Sequence, residues 1–362
     1  MKKHSKKAAA GSKPSRTVGL DLGDKFCHYC ILDGEEGEVM GEGRIKTEEG
    51  ALRKHFENEE RMRVAMECGT HSPWISRLLA KLGHEVIVAN ARKLKGVTQE
   101  EVRNDRRDAE QLAQLAHWSP KLLKGIQHRS AERQRDLTVI QARATLVRAR
   151  TMLINATRGL VKSMGRRLPA CSAESFPNQA KPLLPGELAE LIGPMVDQVQ
   201  ALNQQINKLD RQIEALVERY PEIRTLRTVP GVGPLVAATY VLTLNGAHAV
   251  PHSRSAGAFL GLGPRKKQSG DSDPQGKITR AGNPYLRSLL VQSAHYVLGH
   301  FGPDSALRRW GLKLAASGGK RGKKRALVAV ARKLAVILHC LWRTGESYQA
   351  FPQGQPAAPG QA

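Results

Sequence analysis

The 362-residue chain sets 57 Lys and Arg against 33 Asp and Glu, a formal net charge of +24 at pH 7. A balance this basic is far from that of an ordinary soluble enzyme and points to a polyanionic partner. Aromatic residues make up only 4 %, which excludes wide base-stacking platforms as the main grip and leaves contacts to backbone phosphates, and no apolar run approaches the roughly 20 residues of a membrane helix.

The length predicts two or three domains, each able to bury its own core. The cysteines, at 27, 30, 68, 171 and 340, are odd in number and scattered, as expected of a reduced, cytoplasmic protein. The opening MKKHSKKAAAGSKPSR lacks an apolar middle, so residues 1–16 read as a disordered basic arm that either grips nucleic acid or is simply solvated.

Residues 17–22 read as a short strand with an acid, Asp21, at its centre. A carboxylate there is costly unless it is paired, hydrogen-bonded or bound to a metal. Asp33-Gly34 supplies turn chemistry, and residues 25–32 and 39–45 continue as strands of a meander. RVAMECGT at 63–70 again places one acid, Glu67, after a β-favouring run and before a Gly turn. A helix and a further strand, HEVIVAN at 84–90, follow, so the pattern predicts a mixed sheet with helices packed on it. CHYC at 27–30 has the spacing of half a zinc site, but in a strand its two cysteines point to opposite faces, so no metal is expected there.

In VRNDRRDAEQLAQLA, residues 102–116, Asn104 is a candidate N-cap, and Asp105 and Asp108, three apart, share a helix face. Leu112, Leu115 and Ala116 continue its apolar side. Asp21, Glu67, Asp105 and Asp108 together could hold one or two hard divalent cations, Mg²⁺ or Mn²⁺, which clamp the attacking and leaving oxygens of an in-line phosphodiester displacement. For Asp105 and Asp108 a plainer reading stays open, as first-turn acids that complement the helix dipole and pair with Arg103, Arg106 and Arg107.

From Arg129 the chain reads as a long helix with a heptad seam through Leu137, Ile140, Ala144, Val147, Thr151 and Ile154. A second seam runs through Leu188, Leu191, Met195, Val199, Leu202, Ile206, Leu209, Ile213 and Leu216, after a linker containing Pro169, Pro177, Pro182 and Pro185. An antiparallel helical pair is the expected arrangement, and seams this long also suit pairing with a second subunit as a dimer or tetramer. Arginines 129, 133, 135, 143, 148, 150 and 158 either grip phosphates or form a solvated face.

Pro230-Gly231-Val232-Gly233 lies between two helical stretches. Such a turn, with Gly231 and Gly233, presents backbone N–H groups to a DNA phosphate in the manner of a helix-hairpin-helix element, or else is an ordinary turn between packed helices. In LGLGPRKKQSGDSDPQGKITRAGNPYLRSLL, residues 260–290, Ser269 falls in a Gly-rich polar loop after Arg265, Lys266 and Lys267 and before Lys277 and Arg280. A serine hydroxyl needs a base or a charge-stabilising environment to attack a phosphodiester, and these cations would stabilise the transition state and hold nucleic acid. Residues 317–342 join a basic loop to an apolar-rich closing helix, and residues 346–362 read as a disordered tail.

GLDLG with Asp21, MECGT with Glu67 and NDRRDAEQLA with Asp105 and Asp108, followed by LGLGPRKKQSG and GKITRAGNPYLRSLL, resemble the DEDD transposases of bacterial insertion sequences, of the IS110 type. The matched segments cover roughly residues 17–118 and 224–345. The resemblance implies a ribonuclease-H-like (RuvC-like) mixed α/β sheet domain over 17–120, a helical coiled-coil middle over 121–218, and a mainly helical transposase domain over 219–345 with a helix-hairpin-helix-like element. It also implies that Ser269 forms a covalent link to DNA, with Ser272 next in line if the register is shifted. A structured guide RNA encoded beside the transposase gene would pair with donor and target DNA, in a bacterial, nucleoid-associated enzyme. Three other classes stay in view: a junction-selective nuclease needing the four acids and no serine, an actin-like or sugar-kinase ATPase, and a basic scaffold that only binds DNA.

Overall fold

The structure, a computed structural model, describes residues 14–90, 104–184, 186–265, 276–317 and 319–351. The chain divides after Ala131 into two units. In the first, strands β1 (Thr17–Leu22), β2 (Phe26–Asp33) and β3 (Glu38–Lys46) form the predicted meander. At the turn after β2, Gly34 takes φ 75°, a conformation that suits glycine, and its N–H donates to Asp33 Oδ1 at 2.8 Å. Helix α1 (Glu49–Phe56), strand β4 (Arg63–Glu67), helix α2 (Ser72–Lys81), strand β5 (Glu85–Ala89) and helix α3 (Asp105–Trp118) follow. The sheet order is β3-β2-β1-β4-β5. β1 runs antiparallel to β2 and parallel to β4, and β4 is parallel to β5.

Strand alternation divides this sheet between two cores. Val18, Leu20, Val64 and Met66 pack under α1 and α2 against Leu52, Phe56, Ile75 and Leu79. Each such buried side chain contributes about 1.5–3 kcal/mol. The intervening residues face α3, where Cys30 and Leu32 meet Ala109 and Ala113, and Ala65 meets Leu112 and Ala116. Leu115, expected on the apolar side of α3, is half-buried and packs on the same core as Leu112 and Ala116, while the small Ala109 and Ala113 lie against Cys30 and Leu32. Cys27 and Cys30 enter different cores, as strand alternation requires.

The second unit is helical: α4 (Ala131–Ser163), α5 (Phe176–Ala180), α6 (Gly186–Arg219), α7 (Pro221–Leu226), α8 (Pro234–Leu244), α9 (Ala256–Phe259), α10 (Pro284–Leu298), α11 (Ala306–Ser317) and α12 (Gly322–Thr344). α4 and α6 run antiparallel: Arg219 pairs with Asp136, Arg143 with Asp210, and Arg150 Nη1 donates to Asn203 Oδ1, each step up one helix matching a step down the other. The α4 seam departs from expectation at Thr151, which is exposed and turns its hydroxyl to Val147 O at 2.9 Å. On α6, Leu191 is 75 % exposed, and Ile192 and Val196 are buried instead, against Phe176, Ala180 and Leu184. Both stripes satisfy helical spacing, and the docking of α5 selects the second. Of the arginines on α4, Arg133, Arg143, Arg150 and Arg158 are engaged within this unit, with Glu222, Asp210, Glu174 and Leu168 O respectively, which favours a structural role over phosphate contact for these four.

The closing helix α12 forms the centre of the second core. Val330, Ala331, Leu334, Ala335 and Leu338 are fully buried, and Tyr240 on α8 donates to Ala335 O at 2.7 Å.

Candidate active site

Asp21 reaches its site through the same alternation that builds the sheet. Thr17, Gly19 and Asp21 are the β1 residues turned toward α3: Thr17 Oγ1 lies 3.3 Å from His117 Nδ1, and a Cβ on Gly19 would stand 1.9 Å from Ala109 O. The parallel pairing of Leu20 with Met66 brings the next residues, Asp21 and Glu67, to the same level on adjacent strands and the same face. α3 starts over that end of the sheet. Asn104 caps it, its Oδ1 accepting from Arg106 N–H at 3.1 Å, so Asp105 and Asp108 occupy the first turn as expected.

Asp21 and Asp105 therefore meet at one end of the sheet, with Glu67 and Asp108 near enough for their charges to act on Asp21. Burial, then the charges of Asp105, Asp108 and Glu67, raise the pKa of Asp21 from 3.8 to about 6, and His28 opposes the shift. Like charges held this close repel unless a cation or a proton intervenes, and that donor set suits a divalent metal. Ligand atoms of Asp21, Asp105 and His28 all lie within 4.8 Å of one another. His28 was not among the residues singled out from the sequence. It lies directly across β2 from Asp21 in the antiparallel register, which could be counted back from the Gly23-Asp24-Lys25 turn. Asp24 stands apart, with its side chain 95 % exposed and its Oδ1 3.4 Å from His71 Nε2.

The raised pKa has a signed consequence. Below pH 3.8 Asp21 is protonated whether the chain is folded or not. Between 3.8 and about 6 only the unfolded chain ionises, so the folded state loses stability as pH rises, and above about 6 the loss is constant. In chelator, the melting temperature of Asp21→Asn should therefore exceed that of the parent by a margin that grows across this window and then levels off. Calorimetry at a series of pH values tests this, and a margin independent of pH would refute the raised pKa of Asp21.

In the second unit, Arg265 and Lys277 are brought together by backbone pairing: Arg265 N–H donates to Lys277 O at 2.9 Å and Gly276 N–H to Arg265 O at 3.3 Å. Arg280 is exposed, with φ 57°. Ser269, Lys266, Lys267 and the alternative Ser272 lie outside the described residues. Gly231 takes φ 79°, and a Cβ on it would come within 2.9 Å of Tyr296 Cδ1 and 3.1 Å of Ser293 O, so the 230–233 turn packs on α10. That contact explains Gly231 by packing, whereas Gly233 is exposed at the start of α8.

Two family models match the chain: DEDD_Tnp_IS110, a transposase family, over residues 18–165, and the Transposase IS116/IS110/IS902 family over residues 223–309. A Pseudomonas aeruginosa protein named "Probable family 20 transposase" is 31 % identical over 333 residues, spanning 90 % of this chain and 96 % of its own length. The chain belongs to the IS110 family of DEDD transposases. The transposase is also 27 % identical to the transposase for insertion sequence element IS1111A of Coxiella burnetii, across 95 % of this chain and 94 % of the relative. Its likeness to the transposase for insertion sequence element IS1328 of Yersinia enterocolitica is 25 %, across 76 % and 82 %. It is thus an insertion-sequence transposase, an enzyme that cuts and rejoins DNA, and its family implies use of a divalent metal. Among the described residues, no helix is long and apolar enough to cross a membrane.

Proposed function

We propose that the transposase holds one or two Mg²⁺ or Mn²⁺ ions on Asp21, Glu67, Asp105 and Asp108, and cuts and rejoins DNA through a covalent phosphoserine at Ser269. The observation that supports the metal role is that ligand atoms of Asp21, Asp105 and His28 lie within 4.8 Å of one another, where burial and then the charges of Asp105, Asp108 and Glu67 raise the pKa of Asp21 to about 6. The bound ions would neutralise charge on the phosphoryl oxygens of the scissile ester. Ser269 Oγ attacks that phosphorus, an Oγ–P bond forms as one strand P–O bond breaks, and the departing strand oxygen takes a proton from water and leaves as a hydroxyl. The serine proton passes to an acceptor carboxylate or to solvent. Attack by another strand hydroxyl on the phosphoserine reverses the step and restores Ser269, so the ester bond energy is conserved and no nucleotide hydrolysis is needed. Arg265, Lys266, Lys267, Lys277 and Arg280, with Gly231 and Gly233, contact DNA phosphates in this reading. A structured guide RNA and assembly into a dimer or tetramer through the α4–α6 pair complete it.

The test is to trap the protein on its insertion-sequence ends, digest the adduct, and map the modified residue. A phosphopeptide at Ser269, absent in Ser269→Ala, supports the covalent route. Cleavage and rejoining that survive in Ser269→Ala would remove it and favour a nuclease working on the four acids alone. Arg265→Ala should weaken DNA binding and reduce the slope of log affinity against log salt by about 1, as expected for one lost phosphate contact. A loss of affinity with an unchanged slope would assign Arg265 a structural role.

A further inference from the structure

His28 differs from His84 and His339 in how its ring is used. Both ring nitrogens of His84 have partners, Met62 N–H and Phe56 O, and both of His339 do, Ser253 Oγ and Ala247 O. Those rings are tied into the fold. His28 Nδ1 is buried and makes no hydrogen bond, although the side chain as a whole is 29 % exposed. A buried nitrogen without a partner is costly to retain unless something else uses it.

The nitrogen points into the acidic site. It lies 3.6 Å from Asp105 Oδ2, too far for a hydrogen bond and an ion pair only when the ring is protonated. Two donors each about 2.1 Å from one ion stand about 3.0 Å apart at a 90° angle and about 3.6 Å apart at 120°, so this separation matches two ligands of one ion. Asp21, opposite His28 in the β1–β2 register, supplies a third donor within 4.8 Å of both. The three come from β1, β2 and the first turn of α3, all anchored by the packing of α3 on the sheet.

We propose that His28 Nδ1 is a direct ligand of a divalent ion shared with Asp21 and Asp105, and that this imidazole makes the site prefer Mn²⁺ or Co²⁺ to Mg²⁺. The inference rests on the metal reading above and extends it from an all-oxygen set to one nitrogen and several oxygens. Imidazole adds little for Mg²⁺, which favours carboxylate and water oxygens, but binds transition metals well.

The experiment uses the full-length, metal-stripped protein loaded with one equivalent of Mn²⁺ and examined by pulsed electron paramagnetic resonance. Wild type should show ¹⁴N modulation from a coordinated imidazole, changing to the ¹⁵N pattern in protein grown with ¹⁵N-histidine. That comparison requires no substitution, so it stands even if a variant folds poorly. His28→Gln should lose the modulation and bind Mn²⁺ at least about tenfold more weakly, with Mg²⁺ affinity within about threefold of the parent. Mn²⁺ binding that Asp21→Asn abolishes, but without nitrogen modulation in wild type, overturns the role of His28 and leaves the acidic metal site standing. Modulation that persists in His28→Gln also overturns it. Failure of wild type to bind Mn²⁺ at all overturns both readings.

Discussion

Asp21→Asn should reduce DNA cleavage by at least about 10³-fold while leaving DNA affinity within about twofold. Asp21 is the inner member of the cluster: it sits on β1, and the charges of Glu67, Asp105 and Asp108 all act on it. Loss of its charge would remove one oxygen donor from the proposed divalent site. Metal stabilisation of a phosphoryl transition state amounts to several kcal/mol, and about 1.4 kcal/mol corresponds to a tenfold change in rate. Binding should persist because it rests on the surplus of Lys and Arg across the chain, a net charge of +24, and not on this carboxylate. The amide keeps the size of the side chain, so the fold is retained. A nicking assay on insertion-sequence ends, run beside a gel-shift titration at fixed salt, separates the two effects. Cleavage within tenfold of the parent would place Asp21 outside the chemistry.

Gly19→Val should destabilise the first unit by about 3 kcal/mol or more and disable the site without touching a carboxylate. The backbone of Gly19 is not the constraint; the space above it is. A Cβ there would stand 1.9 Å from Ala109 O and 2.4 Å from Ala113 N. Both are main-chain atoms of α3, so the clash is relieved only by moving the helix. Overpacking a core costs about 1–3 kcal/mol even where side chains can shift, and here the obstacle cannot. As α3 lifts, Asp105 and Asp108 lift with it, and metal binding falls together with stability. Gly41→Ala is the control, since nothing lies within 4 Å of a Cβ at that position. It should change stability by less than about 0.5 kcal/mol. Denaturant unfolding followed by Mn²⁺ titration tests the pair, and a Gly19→Val protein as stable as the control would show that α3 does not dock where the structure places it.

Local patterning was enough to place the four acids. Asp21 and Glu67 follow β-favouring runs, Asp105 and Asp108 follow an N-cap, and each signal spans only a few residues, so strand, cap and helix start were legible along the chain. Asn104 caps α3 as its position before two acids predicted. What the chain could not disclose by itself was anything that depends on which element lies across from which. His28 reads as an unremarkable strand residue until α3 brings Asp105 within 4.8 Å of it and of Asp21. Gly19 reads as one small residue among several until α3 arrives above it. On α6, helical spacing allows the stripe through Leu191 and Met195 as readily as the one through Ile192 and Val196, and only the packing of Phe176 and Ala180 decides between them. The physical reason is common to all three. Periodicity and capping are short-range properties of the backbone, whereas burial and metal-ligand geometry are set by contacts between segments far apart in the chain, whose register no local preference specifies.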